Sequence, residues 1–179
     1  MILAKRLTLV SLLLWVPAAS AQTPASQPPV NQADVQAVQS FIDGSAAPCQ
    51  TQPAQTCVDA AWRFAAGAPQ KGLTLQDAQK VRQRLGSWYT ARQAELVPRE
   101  RASIGFGLLM ADSLGIPHVH AAFDANRDGR VTQKELLADV KLDRRPLGEV
   151  MQDPTAVDRQ ALARRLGLPP ALLAGLFQP

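Results

Sequence analysis

The 179 residues carry 19 Lys and Arg against 15 Asp and Glu, a formal net charge of +4. So small an excess of positive charge gives little support to a nucleic-acid partner. After the N-terminal leader, no stretch is apolar over the roughly 20 residues that span a bilayer, so the sequence predicts no membrane span.

The leader has the pattern of a secretory signal. Lys5 and Arg6 precede an apolar run at 7–16, and small residues at 19–21 offer a cleavage site before Gln22. The run is too short for a membrane anchor, and no cysteine directly follows it to carry a lipid. We therefore expect cleavage, a periplasmic or secreted location, and a mature chain with 17 basic and 15 acidic side chains, a net charge of +2.

The chain divides into a signal peptide at 1–21, a linker at 22–32 and a domain at 33–179. The linker contains three prolines among Ser, Thr and Gln and shows no apolar periodicity, so we expect it to be disordered. The remaining length suits one modest domain with a hydrophobic core.

Two cysteines, Cys49 and Cys57, follow in the first part of the domain. An oxidising compartment favours a bridge between them, and closing so short a loop contributes roughly 2–3 kcal/mol in the loop-entropy account. A redox-active pair is the alternative, but it lacks the Cys-x-x-Cys spacing that lowers a thiol pKa. The sequence therefore predicts a structural disulfide in a loop.

Apolar periodicity predicts four helices in the first two thirds of the domain, at 33–44, 58–66, 75–96 and 99–114. The third has Thr74 as its N-cap and Asp77 at the reciprocal position of a capping box, and Pro98 follows its end. The fourth is apolar almost all round, which predicts the central core helix. Its large apolar residues are Ile104, Phe106, Leu108, Leu109 and Met110. Gly115 should end it, with Pro117 in the first turn of the next helix.

The next twelve residues, 124–135, alternate oxygen-bearing side chains in a tight turn. Asp124, Asn126 and Asp128 stand two apart, so a turning backbone can aim all three at one point. Gly129 follows where the chain must turn sharply and a side chain would clash. This spacing is typical of a site for a hard divalent cation.

The second half of the loop completes the donor set. Arg130 would offer its backbone carbonyl, Thr132 a ligand acting directly or through water, and Glu135 two carboxylate oxygens. With Phe123 before the loop and Leu136 after it, the segment resembles the EF-hand family. The resemblance covers the loop and its two flanking helices, and it implies calcium binding within a helix–loop–helix. The alternative is an acidic surface turn that binds no metal. In that case the agreement of six constrained loop positions with the EF-hand pattern would be a coincidence.

EF-hand loops usually pair through a short strand, and three interpretations are open for this chain. The segment 66–77 matches the end of the loop, with Leu73 aligned to Val131 and Thr74 to Thr132, but its early positions offer few oxygen donors. It would then be a degenerate loop that pairs and binds no metal. The alternatives are an ordinary helix–turn–helix at this place and a homodimer formed through the calcium loop.

Helices are also predicted at 133–142, 146–152, 154–166 and 169–177, and no useful stretch alternates with period two. The predicted fold is therefore all-α, apart from a small ribbon between paired loops. Segment 159–176 has the spacing of a repressor-type helix-turn-helix, with Arg159, Arg164 and Arg165 placed to meet phosphates. Its second helix has no Arg, Lys or Asn to read bases, and export removes the chain from DNA, so we expect two packed helices and no nucleic-acid partner.

Two histidines, His118 and His120, raise a zinc alternative. Residues two apart on a helix point in different directions, and no cysteine or third histidine supports them, so a packing or surface role is expected. No hydrolase elbow, P-loop or Gly-rich dinucleotide turn is present, and we predict no enzyme activity.

The sequence thus predicts an exported calcium-binding protein with one working site. Arg127, Arg130 and Lys134 lie within the loop and oppose cation binding, so a dissociation constant of roughly 10⁻⁵ to 10⁻³ M is expected. Either calcium opens an apolar surface for a protein partner, as in sensors, or it only stabilises the fold of an adaptor module. Phe106, Leu109 and Met110 would serve either role.

Overall fold

The computed structural model describes residues 30–169, which form helices joined by short turns and one two-stranded ribbon. This confirms the predicted all-α fold. The predicted signal peptide and residues 22–29 of the predicted linker lie outside the described residues. So does the predicted helix 169–177, apart from its first residue. The elements are α1 Gln32–Thr51, α2 Ala54–Ala66, β1 Leu73–Thr74, α3 Leu75–Arg92, α4 Pro98–Leu114, α5 Ile116–Phe123, β2 Arg130–Val131, α6 Gln133–Leu136, α7 Leu147–Gln152 and α8 Arg159–Leu166.

Among the described helices, no single one is long and apolar enough to cross a bilayer. Helices α4 and α5 reach that length and composition only together, and they meet at an angle of 86°.

Helix α1 is longer than predicted. It begins at Gln32, where the Asn31 side chain accepts a hydrogen bond from Ala33 N at 3.0 Å, and it continues through Gly44 and Pro48 to Thr51. The predicted end at Gly44 is wrong: the helix continues although Gly44 and Pro48 both weaken a helix interior. The last turn keeps its bond from Gln52 N to Pro48 O at 2.9 Å.

The predicted disulfide is confirmed. Cys49 in the last turns of α1 is bonded to Cys57 in α2, with their Cα atoms 4.9 Å apart. The bridge therefore joins two consecutive helices, whereas the sequence placed it in a loop. It ties the end of α1 to the start of α2 across the short connection between them.

The main core lies between α1 and α3. Val35 and Val38 of α1 pack against Trp88 of α3, and Trp88 Nε1 donates to Gln39 Oε1 at 3.0 Å. Helix α3 ends at Arg92, four residues earlier than predicted, and a turn leads to α4 at Pro98.

The prediction that α4 is the central core helix is wrong. None of its side chains is buried; Phe106 is 38% exposed and Leu109 is 61% exposed. Because its apolar residues surround the helix, the pattern gave no direction of burial, and α1 and α3 already fill the core. Only part of α4, including Ile104, packs against that core. Gly115 ends α4 as predicted, with φ of 80°.

The C-terminal described segment packs as a small layer beside α2. Val150 of α7 is buried with Ala54 and Ala156. Helix α8 begins after Asp158, whose side chain accepts a hydrogen bond from Ala161 N at 2.9 Å. The predicted start at Pro154 is wrong because this side-chain cap favours a helix start five residues later, at Arg159.

Candidate metal centre

The twelve-residue loop 124–135 connects α5 to α6. Two residues with positive φ make its sharp turn: Arg127 at 60° and Gly129 at 81°. Glycine adopts this region without steric strain, as predicted for Gly129, whereas an arginine does so only when its surroundings hold it there. No pattern in the amino-acid sequence indicates this conformation of Arg127.

The start of the loop is organised by Asp124. Its Oδ1 accepts a hydrogen bond from Asp128 N at 3.1 Å, and its Oδ2 accepts one from Gly129 N at 2.8 Å. Asn126 Oδ1 also accepts from Asp128 N, at 3.0 Å, and Asp128 Oδ1 accepts from Arg130 N at 2.8 Å. Each predicted side-chain ligand of this half therefore points an oxygen into the turn.

Glu135 closes the loop from its other end. Its Oε2 accepts hydrogen bonds from Thr132 N at 2.8 Å and from the Thr132 hydroxyl at 2.7 Å, which completes the predicted capping box. Its Oε1 accepts from Ala125 N at 3.1 Å and Asn126 N at 3.3 Å. Bonds from the Thr132 backbone and then from its hydroxyl hold the pKa of Glu135 below its ordinary value, so the group stays ionised.

The predicted ligands share one loop without forming a finished cage. Within residues 30–169, no three Asp, Glu, His or Cys side chains converge in the way that would hold a metal ion. Asn126 Nδ2 donates to Asp128 Oδ2 at 3.0 Å, so the amide faces the carboxylate with its nitrogen. The donor set nevertheless has the chemistry that calcium requires: carboxylate, amide, hydroxyl and carbonyl oxygens.

The exit from the loop differs from the prediction. Helix α6 has only four residues, Gln133–Leu136, whereas the sequence predicted a helix to Leu142. The chain instead turns, and Val140 forms an isolated bridge with Val157. Lys141 N also donates to Ala156 O at 2.7 Å. Pairing with this later segment replaces the helical bonds that Val140, a β-branched residue, supports poorly.

The loop is paired within the chain. Strands β1 and β2 are antiparallel, with Leu73 opposite Val131 and Thr74 opposite Arg130. The segment 66–77 therefore does pair with the loop 124–135 and Leu73 faces Val131, but Thr74 lies opposite Arg130 and not Thr132, because the strands run antiparallel. The ribbon therefore forms between two loops of one chain, and Val131, 2% exposed, enters the core.

The two paired loops carry the same cap. Thr74 and Asp77 form a capping box at the start of α3, as predicted, with the Thr74 hydroxyl donating to Asp77 Oδ2 at 2.7 Å. The pKa of Asp77 lies below its ordinary value, and the main cause is the hydrogen bond from the Thr74 hydroxyl. Asp77 and Glu135 thus occupy equivalent places, although only the loop of Glu135 has carboxylates at its early positions.

Three contacts around the ribbon were missed by sequence reasoning. Trp62 Nε1 donates to Lys71 O at 2.8 Å, and His120 Nε2 lies 2.9 Å from Leu73 O. A Cβ on Gly72 would lie 2.7 Å from the Cβ of Arg130, so glycine is required where the loops approach. His120 lies one helical turn before Asp124, and this closeness to the loop could have indicated its contact with the ribbon.

The two histidines contact different elements. His118 Nε2 lies 3.3 Å from Leu166 O of α8, whereas His120 contacts β1. The arginines assigned to the helix-turn-helix alternative include Arg165, which donates to Asp139 Oδ2 at 2.8 Å and lies over the ring of Phe123. Arg165 therefore packs against the segments that flank the loop 124–135.

Comparison of the chain with protein-family models, with curated proteins and with solved structures finds no match.

Proposed function

We propose that the protein is an exported calcium-binding protein whose single site is the loop 124–135. Asp124, Asn126 and Asp128 supply side-chain oxygens and Arg130 supplies its carbonyl. Thr132 contributes directly or through water, and Glu135 supplies two oxygens. The observation that carries the proposal is the ribbon: β2 lies at the loop position where paired calcium loops join, opposite β1.

Calcium has to replace contacts that the loop makes with itself. Glu135 accepts four hydrogen bonds, and a carboxylate has about four lone-pair directions, so two-oxygen ligation displaces or shares some of them. Calcium binding is weakened by the loss of these hydrogen bonds. It is weakened further because the cation comes close to the positive charges of Arg127, Arg130 and Lys134. A dissociation constant of roughly 10⁻⁵ to 10⁻³ M follows, which suits a compartment where calcium is not kept scarce.

We propose that calcium acts mainly by stabilising the fold. A sensor moves one flanking helix against the other, but α6 has a single turn and the chain after it is bonded to residues 156–158. Val131 is part of a core cluster with Trp62, Ala66 and Phe123, so the loop is tied to the body of the domain. Binding would then lock the loop in place.

A second candidate, the calcium sensor, has one observation in its favour. Helix α5 leads directly into the loop and joins α4 at Gly115, and α4 exposes Phe106 and Leu109. A change in α5 would be passed to this apolar surface, which suits a protein partner.

Export is supported by the Cys49–Cys57 disulfide, since such bonds persist in oxidising compartments. We place the protein in the periplasm or outside the cell.

One experiment tests the site and separates the two roles. Calcium is titrated into the exported chain by calorimetry, with a hydrophobic dye followed in parallel. One binding event per chain with unchanged dye fluorescence is expected for the stabilised module. One event with a rise in fluorescence would favour the sensor, and no heat of binding at millimolar calcium would overturn the proposal.

A further inference from the structure

Helix α4 carries two of the five large apolar side chains that are exposed in the described part of the chain. Phe106 and Leu109 stand three residues apart on one side of the helix, and half-buried Met110 adjoins them. Val97, just before the helix, is 57% exposed. Large apolar side chains grouped in this way usually mark a surface that another segment or molecule covers.

The last described helix, α8, contacts α5, the helix that follows α4 in the chain. The carbonyl of Leu166, the last residue of α8, lies 3.3 Å from His118 Nε2 on α5. Helix α5 meets α4 at Gly115, only three residues before His118. From that corner, Leu109 and Phe106 lie about 8 Å and about 12 Å along α4, at the usual rise per residue.

The ten residues that follow Pro169 have the composition and length to reach this surface. They contain no charged residue, and their large apolar residues recur at four-residue spacing: Leu172, Leu173, Leu176 and Phe177. Ten residues span about 33 Å when extended and about 15 Å as a helix. A segment this short forms no stable helix alone in water, so an apolar surface to pack against would stabilise one.

We infer that residues 170–179 dock on the α4 surface formed by Phe106, Leu109 and Met110. Leucine and phenylalanine side chains of the segment cover the exposed side of α4. The apolar side chains of the segment and those of α4 are thereby both removed from water. A protein partner that uses this side of α4 must first displace the segment. This docking does not depend on calcium, so it stands or falls separately from the proposed function.

Site-specific photo-crosslinking in the full exported chain tests the contact. A benzophenone amino acid replaces Phe106, and a matched sample carries it at Met151, which is 51% exposed on α7. On illumination, position 106 should crosslink to a peptide within 170–179, at the mass of a single chain, and position 151 should not. Crosslinks at the mass of two chains would show instead that a second copy covers α4. Those crosslinks, or none above the control, overturn the inference.

A second measurement uses truncation after Pro169. Removing residues 170–179 should raise hydrophobic-dye fluorescence by about twofold or more, because it uncovers large apolar side chains. Phe106→Ser with Leu109→Ser in the truncated chain should abolish the rise, whereas Met151→Ser should leave it. Unchanged fluorescence on truncation, in a chain whose circular dichroism stays helical, overturns the inference. If the truncated chain fails to fold, the crosslinking result decides.

Discussion

Arg165 of α8 lies over the ring of Phe123, with its guanidinium carbon 5.3 Å from the ring centroid. Phe123 is the residue directly before Asp124, the first predicted ligand. The same guanidinium donates to Asp139, which follows α6, so one side chain contacts both the entrance and the exit of the loop. The loop is thus held by a contact from outside the helix–loop–helix.

Replacing Arg165 should destabilise the domain. In Arg165→Leu, the Asp139 carboxylate loses its partner and the Phe123 ring loses its stacked cation; both partners are mostly buried. We expect a loss of about 1–3 kcal/mol in the free energy of unfolding, measured by urea denaturation. Arg165→Lys should recover only part of it, because lysine lacks the planar fork. Arg164→Ala, an exposed neighbour on the same helix, is the control, and an equal loss there would contradict this role.

The disulfide should contribute to stability and not to calcium binding. Mass spectrometry of protein from the export compartment should find Cys49 and Cys57 protected from alkylation before reduction. Reduction should lower the free energy of unfolding by roughly 2–3 kcal/mol, because it frees a closed loop in the unfolded chain. The calorimetric calcium affinity should stay nearly the same, since the bridge joins α1 to α2 and neither cysteine belongs to the loop 124–135. Free alkylation of both thiols without reductant would refute the first statement.

Acid should weaken the segment that joins α6 to α8. Hydrogen bonds from Arg145, and then from Thr155, lower the pKa of Asp153 from its ordinary 3.8 to about 2. A carboxyl with a lowered pKa favours the folded state above its unfolded pKa, and this contribution is lost as the pH falls from about 3.8 through about 2. Asp153→Asn should therefore lower the melting temperature at pH 7 and flatten its fall between pH 4 and pH 2. Parallel curves for the variant and the native protein would contradict this assignment.

The features that sequence predicted well depend on neighbouring residues. The Thr74 and Thr132 capping boxes, the end of α4 at Gly115 and the Cys49–Cys57 bridge each involve groups a few residues apart, so the pattern contains the physical cause. The ribbon was one of three open alternatives because its two strands are distant in sequence.

The wrong predictions concern contacts between distant segments. The short α6 results from the Val140–Val157 bridge, and the exposure of α4 results from a core already filled by α1 and α3. The role of Arg165 depends on Asp139 and Phe123 being brought together in space. A periodic pattern shows that a residue is apolar or charged, but it does not show which surface is already occupied.

The two capping boxes allow a matched test of which loop binds calcium. Glu135→Gln removes a charge and a ligand oxygen, and it should abolish binding in calorimetry or weaken it by well over tenfold. Asp77→Asn removes a charge at the equivalent place of the paired loop, where no ligand is predicted, and should leave the affinity nearly unchanged. Both variants disturb a cap and should lose about 0.5–2 kcal/mol of stability. A similar loss of affinity in both would mean that binding reports general loosening of the ribbon.

Calcium should raise the melting temperature through this one loop. Asp124, Asp128 and Glu135 bring three negative charges into twelve residues, and a bound cation would neutralise their repulsion. The expected gain is about 2.7 kcal/mol at a calcium concentration one hundred times the dissociation constant. Magnesium at the same concentration should give a much smaller rise, because its octahedral shell is smaller and retains water. Asp124→Ala should remove the response to calcium, since it takes away a ligand and the acceptor of the Asp128 and Gly129 N–H bonds. A native chain that melts at the same temperature with and without millimolar calcium would show that this loop is not a working site.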